Sequence, residues 1–414
     1  MTKYLSRREF LRAMGWTAAG LLAGCRPVTP SPTGAPTATP PAPTASPTMP
    51  TVPSATLSAT PTRLSPPTPR PTVPTATPTL TAVPSPAAAQ AATPSHRVAI
   101  AQVADYEKGL LRRQMQTLLD GIGGLQDIVA AGDRVAIKVN LTGGTAARPP
   151  AGLPAIETHV THPEVVRALG EALRDAGARE LFIVEAVFDA YSFPLWGYED
   201  IARSLDATLI NLNLRQPYDD FASVRVGDGW FIYEAFTFNR ILQEVDAFVS
   251  VSKMKCHCIA GVTHTMKNLV GLAPVWYYMR NPRDGYRTAF HGESGADTRL
   301  PRVIVDLNRA RPIHLALIDG IKTVEGGEGP WNGTLNPVQP GVLLAGKNAV
   351  ATDAVATAVM GFDPTADYPT APFTHGDNHL NLAAGLGLGT NRLEEIEVVG
   401  ASIDDVRYEF APCW

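Results

Sequence analysis

The sequence predicts an α/β fold: a mainly parallel sheet flanked by helices, with a small antiparallel accessory unit. Three observations carry this. Short apolar runs rich in β-branched residues recur along the chain, each too short for a helix. Segments with apolar residues at helical spacing separate them, which is the alternation of parallel α/β sheets. A break in composition near residue 96 confines this pattern to residues 96–414.

The elements follow in order. Arg97–Val103 alternates toward a strand, and Leu110–Ile122 reads as a helix. Arg134–Val139 is a β-rich run that gives way to polar Asn140 and to Gly143-Gly144. Thr161 suits an N-cap, Pro163 the first turn, and Glu164 the positive helix end. The helix Pro163–Ala176 sets Val165, Val166, Leu169, Ala172 and Leu173 at helical spacing, and Gly177 stops it. Leu181–Val184 and Leu209–Leu212 are short strands. Val224–Val226 and Trp230–Tyr233, joined by Gly227-Asp228-Gly229, read as a hairpin within the accessory unit near 213–238. Asp246–Ser252 is a buried strand, Thr298–Asn308 a helix and Ile313–Ile318 another buried strand. Val342–Ala345 is a strand, Ala349–Met360 an alanine-rich helix closed by Gly361, and Ile396–Val399 the last strand.

Residues 1–95 read differently. Ser6-Arg7-Arg8-Glu9-Phe10-Leu11-Arg12, followed by the apolar segment Ala13–Ala23 and by Leu22-Ala23-Gly24-Cys25, reads as a twin-arginine signal peptide with a lipobox over residues 1–25. It implies export by the twin-arginine machinery and lipid attachment at Cys25. Residues 26–95 hold 20 of the 37 prolines and 17 threonines, with no aromatic or acidic residue. Such a segment cannot offset its chain entropy by burial and is expected to be a disordered linker. The expected product is an extracytoplasmic lipoprotein anchored to the outer face of the cell membrane, its globular domain spanning 96–414.

Charge narrows the partners. Seven of the 35 Lys/Arg and one of the 39 Asp/Glu precede residue 96, which leaves 28 basic and 38 acidic residues, a net of −10, in the globular part. A nucleic-acid partner is disfavoured. The four cysteines are too few for a disulfide scaffold and form no cluster-binding array.

In parallel sheets, ligands bind beyond the carboxyl ends of strands. Lys138, Asn140 and Thr142 follow one strand. Asp319 and Gly320 follow another, ahead of the glycine-rich loop Glu325–Pro330, whose Glu325 or Glu328 suits a base or a metal ligand. The segment 253–271, KMKCHCIAGVTHTMKNLVG, is the richest. Its lysines suit an anion clamp and its histidines proton transfer. His162 sits where a helix N-terminus welcomes an anion. Cys256 and Cys258 read as two buried thiols, with a soft-metal site or a mutual disulfide as alternatives. His314 reads as a satisfied core histidine, and His375 and His379 as surface-loop residues.

These segments resemble domain of unknown function family 362. Lys138–Asn140 is similar to the family's K-P-N strand end with Val139 in place of proline. Lys253, Lys255, His257, Thr263, Lys267, Asn268 and Gly271 match its KxKxH…GVTxxxKNxxG segment. Asp319, Gly320, Glu325, Gly329, Pro330 and Gly333 match its DG…EGxGPxxG loop, with one extra residue after Glu325. Thr161–Glu164 and Asp353–Gly361 complete five motifs in order. Many members carry a ferredoxin-like cluster region whose cysteines this chain lacks, which argues against electron transfer. A fainter likeness to the lactate-racemase family is analogy only.

The expectation is an enzyme acting on a small anionic, carboxylate-like ligand. His257, Lys267, Glu325 and Asp319 are the catalytic candidates. Lys138, Asn140, His162, Lys253, Lys255, Thr263, Asn268 and Gly329 are the candidates for ligand binding. No cofactor is specified. A tethered solute-binding protein and a metal- or cofactor-bearing redox lipoprotein are the alternatives.

Overall fold

The computed structural model describes residues 96–292 and 297–413. The signal peptide, the lipobox with Cys25 and the linker lie outside the described residues. In chain order the strands are β1 (His96–Gln102), β2 (Arg134–Lys138), β3 (Glu180–Glu185), β4 (Ala207–Asn211), β5 (Phe221–Arg225), β6 (Ala235–Asn239), β7 (Ala247–Lys253), β8 (Lys255–His257), β9 (Gly261–Thr263), β10 (Leu315–Gly320), β11 (Thr323–Glu325), β12 (Asn336–Val338), β13 (Val342–Gly346) and β14 (Ile396–Gly400). Eight of them form one sheet in the order β14-β1-β13-β10-β7-β2-β3-β4. All its pairings are parallel except those of β13, which runs against both β1 and β10. Three two-stranded ribbons, β5–β6, β8–β9 and β11–β12, stand outside it.

The sheet is buried on both faces, so its strands read as continuous apolar runs. Val98, Ile100, Ala136 and Val184 face one core, and Ala99, Ala101, Val135 and Ile183 face the other, as the two-residue period of a strand requires. The helices Lys108–Gly121, Pro163–Asp175 and Tyr198–Leu205 cover the second face. Arg299–Ala310, Ala349–Val359 and His379–Gly385 cover the first. In the Pro163–Asp175 helix Val165, Val166, Leu169 and Leu173 are fully buried, each contributing at most about 2–3 kcal/mol. No helix among the described residues is long and apolar enough to cross a membrane.

Two local expectations change. His162, not Thr161, is the N-cap of the Pro163–Asp175 helix: its Nδ1 accepts from the Glu164 N–H at 3.2 Å. The Thr161 hydroxyl instead accepts from the Asn140 N–H and donates to the Val251 carbonyl, both at 3.1 Å, which ties the end of β2 to β7. The accessory hairpin exists, but its second strand is β6, not Trp230–Tyr233. The N–H groups of Phe231, Ile232 and Tyr233 all donate to the buried Asp306 carboxylate at 2.7–2.9 Å, so they are withheld from a ladder.

The topology places the site. After β2 the chain moves to β3 on one side; after β7 it moves to β10 on the other. The carboxyl ends of β2 and β7 therefore flank a reversal point, where no crossover fills the crevice.

Candidate functional site

Lys138, the last residue of β2, is fully buried. Its Nζ donates to Glu185 Oε2 at 2.9 Å, to the Val139 carbonyl at 2.6 Å and to Asn268 Oδ1 at 3.1 Å. Glu185 ends the neighbouring strand β3 and also accepts from the Leu141 N–H. Asn140 Nδ2 donates to the same Asn268 oxygen. Gly271 closes over this network. A Cβ there would lie 2.3 Å from Glu185 Oε1 and 2.7 Å from Lys138 Nζ, so no larger residue fits.

Beyond β7 the chain enters the β8–β9 ribbon, which sets Lys255 opposite Thr263 and His257 opposite Gly261. Lys255 is fully buried, and its Nζ donates to the His159 carbonyl at 2.5 Å, with no carboxylate partner among the described residues. Burial, followed by the nearby Lys267 charge, holds its ammonium well below the ordinary lysine range. His257 Nδ1 accepts from the N–H groups of Ile259 and Ala260 at 3.1 and 3.2 Å. These two donors assign the proton of the neutral ring to Nε2. Burial and the Lys267 charge push this ring down to about 3, so it stays neutral at pH 7.

Lys267 and Asn268 sit on the single helical turn Thr265–Asn268. Asp353, buried on the Ala349–Val359 helix, accepts from the N–H groups of Thr265 and Met266 at 2.9 Å and from the Thr265 hydroxyl at 2.5 Å. That carboxylate fixes the turn. The Lys267 ammonium makes no hydrogen bond or ion pair among the described residues. Burial lowers it to about 8, the opposing pull of Glu328 notwithstanding.

Glu328 accepts from the Cys258 N–H at 3.1 Å and from Trp331 Nε1 at 2.7 Å. Burial alone would raise its carboxyl; His257, the two donors and Lys267 outweigh it and hold the group at about 2. Arg287 is also buried; its Nε donates to the Ala273 carbonyl at 2.6 Å, and one terminal nitrogen has no partner among the described residues.

These groups line one cavity of about 800 Å³. Of the sequence candidates, Lys138, Asn140, Lys255, His257, Thr263, Lys267 and Asn268 share it. Five others do not reach it. Lys253 pairs with Asp319 at 2.8 Å and also donates to Tyr106 Oη at 3.1 Å. Asp319 takes further hydrogen bonds from the His162 N–H and Tyr106 Oη, both at 3.0 Å, while the His162 ring stacks on Tyr106 at 3.6 Å. This second buried cluster is internally satisfied. Glu325 is likewise occupied, accepting from the Ala411 N–H at 2.8 Å. Gly329 lies under Trp331, where a Cβ would come within 2.3 Å of the indole.

The cysteine alternatives are corrected too. Cys256 is a buried free thiol that donates to the Ala411 carbonyl, and Cys258 forms a disulfide with Cys413. The C-x-C pair is therefore neither a chelate nor a mutual disulfide. His314 accepts from the Phe248 N–H, while His379 is fully buried rather than in a surface loop.

Sequence reasoning missed Glu185 and Trp331 and did not assign Arg287. Glu185 follows the predicted strand Leu181–Val184 directly. The rule that singled out Lys138 and Asp319 at strand ends points equally to it. Trp331 and Arg287 lie in irregular loops and carry no such signal.

As a whole, the site offers two lysines and an arginine without carboxylate partners among the described residues, the neutral His257 imidazole with its proton on Nε2, and the Glu328 carboxylate, with Glu185, Asp284 and Asp297 also in the lining. It can hold an anion and exchange a proton beside it.

Among curated proteins the chain is similar to a thylakoid-associated protein of Synechocystis sp., 27% identical over 280 residues that cover 66% of this chain and 77% of the relative. Among solved structures it is similar to the lactate racemase apoprotein of Thermoanaerobacterium thermosaccharolyticum. The two share 12% identity over 59% of this chain and 54% of that one, with a TM-score of 0.32. It is also similar to a Thermotoga maritima protein, with 10% identity over 60% and 57% of the two chains and a TM-score of 0.29. Each likeness spans little more than half of the solved chain and carries nothing about activity. The family described as Domain of unknown function (DUF362) matches residues 135–358, a span that takes in every cavity residue named above. That match covers more than half of the sequence, and the chain belongs to the DUF362 family.

Proposed function

We propose that this protein is a membrane-tethered, extracytoplasmic enzyme that binds a carboxylate-like anion in the cavity and moves a proton on it. The observation that carries the reading is Lys267, a half-buried ammonium with no partner among the described residues, sharing a cavity with Lys255 and with the neutral His257. An unpaired buried cation is costly, and an anionic ligand would supply what the fold leaves out. Lys255, Lys267 and Arg287 bind the anion; the His257 Nε2–H donates a hydrogen bond to it, and Lys267, held at about 8, is the group that releases or takes up the proton, with Glu328 orienting the loop beside them.

The twin-arginine motif and Cys25 support export and tethering. The Cys258–Cys413 disulfide supports an oxidising compartment, and the relative's thylakoid association supports a membrane setting. Export and anchoring are tested by comparing Cys25→Ser with the unaltered chain: release from the membrane fraction is expected.

The enzymatic reading is tested on the purified full chain with a panel of carboxylates and inorganic phosphate, in deuterated water. Thermal stabilisation by an anion, lost in Lys267→Ala, together with deuterium in the recovered ligand, is the expected result. Stabilisation without exchange, in any ligand, would instead favour the solute-binding alternative. No stabilisation by any anion overturns both.

A further inference from the structure

The cavity is much larger than a simple carboxylate needs, and its two ends differ. Pockets of roughly 300–1,000 Å³ hold drug-sized ligands, and this one is about 800 Å³. Its cationic end is deep: Lys138 and Lys255 are fully buried, and Arg287 and His257 nearly so. Its mouth is aromatic. Phe188, Tyr286 and Trp331 all line the cavity and are 37%, 49% and 51% exposed. Leu141, Ile259 and Val270 add apolar wall to the same cavity.

Large side chains left open at the rim of a cavity are costly to hydrate and mark a surface awaiting an apolar partner. Trp331 is held in that position. Its indole N–H is fixed on Glu328 at 2.7 Å, and Gly143 and Gly329 leave it room, since a Cβ at either would come within 2.5 Å of the ring. Three buried atoms without a partner among the described residues, Asn140 Oδ1, Thr263 Oγ1 and one Arg287 terminal nitrogen, belong to residues that line the same cavity.

We infer that the ligand is an amphipathic acid: an anionic group held by Lys255, Lys267 and Arg287, carried on an apolar body that lies against Trp331, Phe188 and Tyr286. This rests on the anion-binding reading above and specifies its substrate class. The body is a ring system or an acyl chain; the chemistry recognised, apolar surface joined to one anionic head, is shared.

The test is calorimetric titration of the full chain with acetate, 1-naphthoate, decanoate and the uncharged 1-naphthylmethanol. Either 1-naphthoate or decanoate is expected to bind roughly 100-fold more tightly than acetate, the gain from burying one ring or chain of apolar surface. The tighter of the two identifies the body. 1-Naphthylmethanol is expected to bind more weakly than 1-naphthoate by a similar factor. Trp331→Ala and, separately, Phe188→Ala should each remove much of the gain while leaving acetate binding intact. Lys267→Met should abolish binding of all the acids.

Equal affinity for acetate and both larger acids overturns the amphipathic ligand but leaves anion binding standing. The same holds if the gain persists in both rim variants. Equal affinity for 1-naphthoate and 1-naphthylmethanol, or no binding of any acid, overturns the anion reading itself.

Discussion

In the variant Lys267→Met an unbranched apolar side chain of similar length takes the place of a half-buried ammonium that has no partner among the described residues. The lysine sits at a pKa of about 8, against 10.5 for an ordinary lysine. At about 1.4 kcal/mol per tenfold, holding the charge costs the fold about 3 kcal/mol, and water reaching the half-buried ammonium through the cavity lowers this to about 1–3 kcal/mol. The sign follows from proton linkage. Below pH 8 the lysine is charged in both folded and unfolded chains, so the cost is fully present. Between pH 8 and 10.5 the folded chain has released the proton and the unfolded chain has not, so the native protein gains stability as pH rises. Lys267→Met should therefore be more stable than the native chain by about 1–3 kcal/mol at pH 7, and the advantage should close by about pH 10.5. Urea unfolding followed by tryptophan fluorescence at both pH values measures this. Lys138→Met is the internal control, because it strands Glu185 as an unpaired buried carboxylate and should lose about 3–5 kcal/mol. The reasoning is refuted if Lys267→Met loses stability as the control does, or if its advantage is the same at both pH values.

Three further outcomes are expected. Anion affinity should fall as pH rises through about 8, where Lys267 loses its charge, and binding near that pH should take up protons; titration calorimetry in buffers of different ionisation heat reads both. Cys413→Ser should cost about 2–5 kcal/mol, and the native chain treated with a thiol reductant should melt with the variant rather than above it. Asp306→Ala should cost about 2–4 kcal/mol by orphaning three N–H groups, and hydrogen exchange at Phe231, Ile232 and Tyr233 should accelerate more than at strand amides elsewhere.

The sheet was legible because a doubly covered strand must be apolar on both faces, and such runs are visible in sequence. The predicted strand Asp246–Ser252 and helix Pro163–Ala176 each fall within about a residue of β7 and of the Pro163–Asp175 helix. Trp230–Tyr233 failed because its apolar alternation is real but its N–H groups are captured by Asp306, a carboxylate 73 or more residues away, a competition no local pattern reveals. The site divides along the same line. Lys253 and Lys255 are two residues apart and look equivalent in sequence. At the end of β7, Lys253 meets Asp319 and is neutralised, whereas Lys255 has left the sheet for the β8–β9 ribbon and meets only a carbonyl. Glu325 and Glu328 part similarly: the first is spent on the Ala411 N–H, the second faces the cavity. Which of two like residues is free depends on partners brought from distant segments, and those are set by the fold.

The position of β1 has a bearing on biosynthesis. It lies between β13 and β14, with Val98 opposite Gly346 on one side and Val398 on the other. The first strand of the sheet to leave the ribosome thus has no neighbour to pair with until β13 has been made. Until then β2, β3, β4, β7 and β10 can assemble, and β1 waits as an unpaired apolar segment. Pairings so remote in sequence are slow to form. A chain that stops between β10 and β13 leaves β1 without either neighbour, and one that stops between β13 and β14 leaves β1 as an open edge.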